Sequence, residues 1–415
     1  MSYSRIATDI ERPFIVKAIN ACGRLMTLLG RDLVSLDEEK LMQAARKRTQ
    51  LSDFGDEGFR EGLTVFLRAL KDEAELNGMG QVVAYQMCVN LLSGRLLIID
   101  SIKKHPDILQ EVIEKPLIIA GLPRTGTTIL QQLLCADPQA RMLTSWEASQ
   151  PCAPRKGKDK RIEETQQQME MLHKFVPGFQ AIHATGAHLP QECIALMAFN
   201  FVSVQFELNF HVPSYSAWYK QQDIRPTLNF HKQCLQLLQY QRPKQHWVLK
   251  TPPHLSAMEE LLETYPDACI IQPHRDPAQV MVSVSSLFYA LQALGSDTIT
   301  PQKVAACEVE NWGAHLDKGL QSRQKLTDNT AQFYDVYFEQ LLDDPVACIE
   351  QIYANFNVPW SEALKNQLQT FMAENQREKH GKHDYDLAMF GLEQADLDQR
   401  FTHYRDYFNI AKSTR

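Results

Sequence analysis

Gly121-Leu-Pro-Arg-Thr-Gly-Thr-Thr128 lies between two stretches of different texture. Before it, Pro116-Leu-Ile-Ile-Ala120 is a short apolar run of the kind that forms a buried strand. After it, Ile129, Leu130, Leu133 and Leu134 recur at helical spacing. A glycine-bearing turn from strand to helix lets successive amide N–H groups wrap an anion, and the positive end of the helix dipole adds to the field. Gly121 and Gly126 keep the spacing of the Walker pattern GxxxxGK[ST], but Thr127 stands where the lysine belongs. Arg124, inside the turn, offers a permanently charged, forked set of donors. In a nucleoside triphosphatase that lysine reaches the β- and γ-phosphates, while a Thr and an acidic strand end hold magnesium. No strand read from this sequence ends in such an acid. The turn therefore reads as a cradle for a phosphate that stays bound; a bare connecting turn is the plainer alternative.

The same strand-then-helix logic recurs downstream. His246-Trp-Val-Leu-Lys250 precedes Pro252, Pro253 and a helical pattern over 255–265. Cys269-Ile-Ile-Gln272 precedes Pro273, Asp276-Pro277 and a pattern over 278–291. Gln332-Phe-Tyr-Asp-Val-Tyr337 precedes Asp343-Asp344-Pro345, where an aspartate cap and a proline at the first helical position open a helix. Such alternation predicts an α/β protein with a parallel sheet flanked by helices and ligands at the carboxyl ends of its strands. Upstream, Leu63, Phe66, Leu67, Leu70 and Ala74 fall on one helical face, opposite Arg68, Lys71, Asp72 and Glu75, and a second pattern runs over 82–99. Residues 151–161 hold five basic side chains and read as a solvated loop. Phe199, Phe201, Phe206, Phe210, Tyr215, Trp218 and Tyr219 read as core in preference to the lining of an apolar cavity.

Composition excludes several classes. With 415 residues, 44% hydrophobic and 22% charged, the chain is globular in usage. A net charge of −7 excludes a basic nucleic-acid coat. Nine cysteines, odd in number and without a CxxC pair, read as reduced thiols. The first residues lack an apolar signal-like run, and the longest consecutive apolar stretches fall far short of the ~20 residues that span a bilayer. The expectation is a soluble cytoplasmic protein with no membrane span and no nucleic-acid partner; the oligomeric state is not legible.

A second cationic site stands apart from the first. Arg275 ends a strand, Asp276-Pro277 opens a helix, and Ser283, eight residues on, can return its hydroxyl to the same face. Alone, this is equally a surface arginine and a helix serine. Together, the two motifs resemble sulfotransferases that use 3′-phosphoadenylyl sulfate, of the bacterial type distantly related to the cytosolic, carbohydrate and tyrosylprotein enzymes. Pro123-Arg-Thr-Gly-Thr-Thr128 matches that family's P-[KR]-[ST]-G-T-[TS] loop at every position. The resemblance covers roughly 117–345, with a tail match to about 401. It implies that Pro123, Arg124, Thr125, Gly126, Thr127 and Thr128 hold the 5′-phosphate, and that Arg275 and Ser283 hold the 3′-phosphate. The tail clusters Arg377, Lys379, His380, Lys382 and His383 around Gly381, a solvated basic loop when read alone. His383, Tyr385, Phe390, Gly391 and Leu392 repeat a segment of related bacterial chains, which implies Lys379 and Lys382 as donor contacts. The family's adenine-side tyrosine is replaced by Phe338, with Tyr337 next to it.

The resemblance implies a P-loop-like sulfotransferase architecture with helical N-terminal and C-terminal extensions. Residues 1–112 would form a helical segment packed on the core. Residues 113–345 would form the α/β donor-binding core, with an acceptor-site insertion at about 150–230. Residues 346–415 would form a helical tail with a donor-closing basic loop. By analogy with phosphoryl transfer, three jobs arise: a cation for the departing phosphate, donors on the sulfuryl oxygens, and a base for the acceptor. Arg124 is the first choice for the cation and Lys250 the second. For the base, Glu147 in Thr144-Ser-Trp-Glu-Ala-Ser149 ranks first and His254 second, with Glu192 and His188 behind them. The product would be adenosine 3′,5′-bisphosphate, no metal is implied, and the acceptor is a hydroxyl or amine of a small molecule, lipid or glycan. The alternatives are a nucleotide kinase or triphosphatase on a degenerate P-loop, and a non-catalytic nucleotide-binding protein.

Overall fold

Alternation along the strands decides which side of the sheet each helix covers. In a computed structural model describing residues 12–155, 157–176, 179, 184–242, 245–374 and 387–412, five strands form one parallel sheet. They are β1 (Leu117–Ile119), β2 (Ala140–Met142), β3 (His246–Lys250), β4 (Cys269–His274) and β5 (Phe333–Tyr337), in the order β2-β3-β1-β4-β5. Leu117 and Ile119 of β1 pack with Leu130, Leu133 and Leu134 of the helix Thr127–Leu134 and with Ile349, Ile352 and Tyr353 of the helix Pro345–Asn355. Ile118 and Ala120 turn to the opposite face, into a larger core shared with the N-terminal helices and the helix Pro277–Gly295. From β1 the chain moves to β2 and β3 on one side, and then crosses to β4 and β5 on the other. The crevice at the carboxyl ends of β1 and β4 is therefore the topological switch point, where ligands bind in such sheets.

The four expected strands lie close to their predicted places, and β4 continues through Pro273 to His274. The missing one was β2, whose Ala-Arg-Met is too short and too polar to carry a periodic signal. Asp344 caps the helix Pro345–Asn355 as anticipated, accepting from the Ala347 N–H at 3.0 Å. The aromatic segment is core: Phe201 and Phe206 stack with centroids 5.6 Å apart, and Phe66 from the helix Phe59–Asp72 meets Phe206 at 4.3 Å. The basic stretch differs from its expected solvation at Arg161, which is buried. Its guanidinium donates to the carbonyls of Gln150 and Pro151, pairs with Asp159 at 2.7 Å and lies over the Trp146 ring.

Two helices, Gly78–Lys104 and Pro277–Gly295, are long and apolar enough to cross a membrane by length and composition. Consecutive apolar runs understate them, because isolated polar residues interrupt both. Each contributes side chains to the protein core, the second almost along its whole length. All nine cysteines are free thiols.

Three core histidines set an acid limit on stability. Burial holds His231 and His315 down to about 3 and His254 down to about 4. Below pH 6.5 the unfolded chain takes up protons that these folded rings refuse, so stability falls as pH drops from 6.5 towards 4, by about 3 kcal/mol per ring. Glu207 acts in the opposite sense, since burial raises it to about 7 and its share of stability is lost as pH rises from 4.5 through 7. Glu308, also raised by burial, acts with Glu207, and the three histidines outnumber these two acids. Urea midpoints are expected to fall steadily from pH 6.5 to 4; a flat profile would contradict the enclosed, neutral state of these rings.

Candidate active site

The phosphate-loop turn is built on unusual backbone. Gly126 has φ of 87° and Arg124 has φ of 66°, a conformation that costs a residue with a Cβ and needs support from its surroundings. Support is visible on three sides. The Thr125 hydroxyl donates to the Leu122 carbonyl at 2.7 Å, closing the turn on itself. Leu341 and Phe338 pack against Gly126 so closely that a Cβ there would lie 2.9 Å from the leucine. Arg275 donates from Nη1 to the Arg124 carbonyl at 3.1 Å.

That last bond joins the two cationic motifs. Arg275 follows β4, one strand from the turn that follows β1, and its guanidinium lies 4.3 Å from the centroid of the Phe338 ring. Arg124 in turn donates from Nε to the Ser283 hydroxyl at 2.9 Å. Arg124, Arg275, Ser283 and the amides of 125–128 thus border one crevice at the switch point. Phe338, which directly follows β5, forms part of its wall, whereas Tyr337 turns away and donates its hydroxyl to the Phe408 carbonyl at 3.0 Å. The position legible in sequence only as a missing tyrosine is therefore an aromatic support beneath Arg275.

The tail braces the same place. Asp276 caps the helix Pro277–Gly295 by accepting from Ala278 N–H at 3.1 Å, and it also pairs with buried Arg405 of the helix Thr402–Phe408 at 3.2 Å. His274, at the end of β4, bonds Asp335 through Nε2 at 2.9 Å and the Tyr404 hydroxyl through Nδ1 at 2.7 Å. An ionised carboxylate only accepts, so Nε2 carries the proton and Nδ1 accepts from the tyrosine. Burial holds His274 below the usual histidine range despite Asp335. Phe390 packs with Val282, the neighbour of Ser283. Lys379 and Lys382 lie outside the described residues.

Among the candidate bases the structure reorders the sequence reading. Glu147 is buried, with Oε1 accepting from Arg141 at 3.0 Å and Arg242 at 2.6 Å, and Oε2 accepting from the Thr144 hydroxyl at 2.9 Å and its N–H at 3.3 Å. Those bonds fill the acceptor sites of a carboxylate, and they form a helix capping box. The strand before it, β2, is also the sheet edge, with β3 between it and the loop strand β1. In this structure Glu147 anchors two arginines and a helix cap. His254 is enclosed in the core, its ring centroid 6.1 Å from that of His231 and its Nε2 without a hydrogen-bond partner among the described residues. It is a core histidine of the turn after β3, because the two prolines carry it past the strand end. His188 is exposed.

Lys250 and Glu192 meet instead. Lys250 Nζ lies 3.1 Å from Glu192 Oε1, with the lysine side chain 3% exposed and the glutamate 19%. Lys250 stands opposite Ile119 in the β1–β3 register, and Thr251 N–H donates to the Ile119 carbonyl at 3.1 Å, so the pair adjoins the loop strand. The segment carrying Glu192 is stitched across the strand ends, with Gln191 N–H donating to the Leu143 carbonyl at 2.7 Å and Cys193 N–H to the Lys250 carbonyl at 3.0 Å. No spacing rule in the sequence joins these two residues.

A fold with a phosphate-type loop after β1, an arginine after β4 and an acid–lysine pair after β3 belongs to a group-transfer enzyme of the α/β class. The sulfotransferase family model matches residues 116–362, and the chain belongs to that family. It is a sulfotransferase. It is similar to two crystal structures: sulfotransferase STF1 from Mycobacterium tuberculosis H37Rv (31% identical, TM-score 0.78, covering 88% of this chain and 98% of that one), and STF9 from Mycobacterium avium (26% identical, TM-score 0.81, covering 92% and 99%). A curated relative from Mycobacterium bovis, the omega-hydroxy-beta-dihydromenaquinone-9 sulfotransferase Stf3, is 24% identical over 287 residues, 64% of this chain and 68% of the relative.

Replacing Glu147 tests its anchoring role. Glu147→Gln leaves two guanidiniums short of their counter-charge, and breaking a buried pair of this kind costs about 3–5 kcal/mol. A lowered urea midpoint with nucleotide binding retained is the expected result. Normal stability combined with lost turnover would return Glu147 to the role of base.

Proposed function

We propose that the chain transfers a sulfuryl group from 3′-phosphoadenylyl sulfate to the hydroxyl of an apolar, lipid-like acceptor. The observation carrying the donor half is the convergence of Arg124, Ser283 and Arg275 on one crevice. Two arginines and a turn of amides fit two separated phosphates better than a triphosphate held with metal. The loop amides and Arg124 would hold the 5′-phosphate, and Arg275 with Ser283 the 3′-phosphate. The acceptor half is supported by the hydroxylated menaquinone in the name of the Mycobacterium bovis relative. Nine unpaired cysteines favour a reducing, cytoplasmic setting.

In this reading, Glu192 takes the proton of the acceptor hydroxyl as its oxygen bonds to sulfur, and the bond from sulfur to the phosphate oxygen breaks. The products are the sulfate ester and adenosine 3′,5′-bisphosphate. Lys250, buried beside Glu192, orients the carboxylate and places a positive charge at the strand end, where negative charge develops on the departing phosphate. Arg124 supplies the second cation. The chemistry is then mostly positioning and charge stabilisation, as in phosphoryl transfer.

Adenosine 3′,5′-bisphosphate is expected to raise Tm without metal, ATP with magnesium is expected to do so far less, and Arg275→Ala should abolish the bisphosphate shift. Equal protection of wild type and Arg275→Ala would remove Arg275 from the site, and stronger protection by ATP with magnesium would favour a triphosphatase. With radiolabelled donor and a panel of hydroxylated acceptors, Glu192→Gln should lower kcat by about 10²–10⁴-fold while leaving bisphosphate protection intact. Competition by very polar sugars alone would count against an apolar acceptor.

A further inference from the structure

The helix Phe14–Leu28 is apolar on two sides, and only one of them is used. On its inner side Val16 and Asn20 are buried, and the Asn20 side chain accepts from Met79 N–H at 2.8 Å. Gly23 packs so closely on Gly78 that a Cβ would lie 2.6 Å from the Gly78 Cα. These contacts set the rotation of the helix, so its other side cannot roll into the core. That other side carries Phe14 (85% exposed), Ile15, Cys22, Leu25 (59%) and Leu28 (84%), continued by Leu29 just beyond the helix. At about 100° per residue these positions form one broad stripe. Half of the large apolar side chains exposed among the described residues belong to this stretch. A contiguous apolar face of this kind marks an interaction surface.

Charge identifies the occupant. The helix Phe14–Leu28 carries Lys17 and Arg24 and no Asp or Glu, with Arg12 before it and Arg31 after it, inside the flanking acids Glu11 and Asp32, in a chain whose net charge is −7. Lys17 and Arg24, seven residues apart, line one edge of the stripe, and both are exposed, as is Arg31. Arg12 pairs with Asp297, and Arg24 approaches the same carboxylate at 3.9 Å. A second copy packed helix to helix would bring the same basic edge against itself with no carboxylate on either helix. An anionic lipid surface meets both demands, taking the apolar stripe into its acyl boundary and the cations among its headgroups.

We propose that Phe14–Leu28 lies in the plane of an anionic membrane surface and docks the enzyme there. The same helix packs through Val16 with Leu291 and Leu294, at the far end of the helix that begins beside Arg275 and carries Ser283. One rigid element thus connects the docking face to the donor crevice. Docking does not depend on the donor chemistry, although a lipid acceptor would give it a purpose.

The test is flotation of the full chain with vesicles of phosphatidylcholine containing about one-third phosphatidylglycerol, compared with phosphatidylcholine alone. Wild type should bind the anionic vesicles, less so in high salt. The double variant Leu25→Glu/Leu28→Glu should bind at least about tenfold less. Lys17→Glu/Arg24→Glu should lose the preference for anionic lipid. All four positions are exposed, and melting curves with adenosine 3′,5′-bisphosphate report whether each variant is folded and whether the donor reading holds on its own. Absence of wild-type binding, or undiminished binding by the leucine variant, would overturn the proposal. So would a dimer in sedimentation that the leucine substitutions split.

Discussion

The bond from Arg275 to the carbonyl of Arg124 is the constraint on which the site depends. It ties the end of β4 to the turn after β1, across the point where the sheet's connections change direction. The turn is held in left-handed backbone at Arg124 and Gly126, and that conformation aims the carbonyl of residue 124 at Arg275 while its side chain reaches Ser283. Arg124 and Arg275 bring two permanently charged guanidiniums to the same turn. The arrangement therefore favours a ligand with negative charge at more than one place.

Much of the surrounding structure serves to keep those two ends together. The Asp276–Arg405 pair, the His274 bonds to Asp335 and Tyr404, and the Tyr337 hydroxyl on the Phe408 carbonyl all pin the C-terminal helix Thr402–Phe408 over the ends of β4 and β5. Arg323 adds a forked contact to Asp335, at 2.8 and 3.0 Å. Burial alone would raise Asp335, but the bonds from His274 and Arg323 hold it below the usual carboxylate range. A residue far along the chain thus fixes the N-terminus of the helix that presents Ser283.

The two glutamates show what linear spacing leaves out. Glu147 follows the loop at a distance that fits a base in related enzymes, yet the strand before it joins the sheet at the edge, and its carboxylate is spent on two arginines and a cap. Glu192 sits in a segment with no periodic signal, and reaches Lys250 because backbone bonds lay that segment over the ends of β2 and β3. Strand order is a consequence of how whole faces pack, so no local spacing encodes it.

Local physics was sufficient for the loop, its strand and its helix, for Arg275 before a capped helix, and for the Asp344 cap, because each depends on residues within a few positions of one another. The tertiary structure alone decided which acid stands beside Lys250, that Phe338 supports Arg275, that His254 is core, and that Phe14–Leu28 keeps an apolar face outward. Those outcomes depend on which surfaces meet across long sequence separations. Periodicity states that a side chain is apolar, and only packing states what, if anything, covers it.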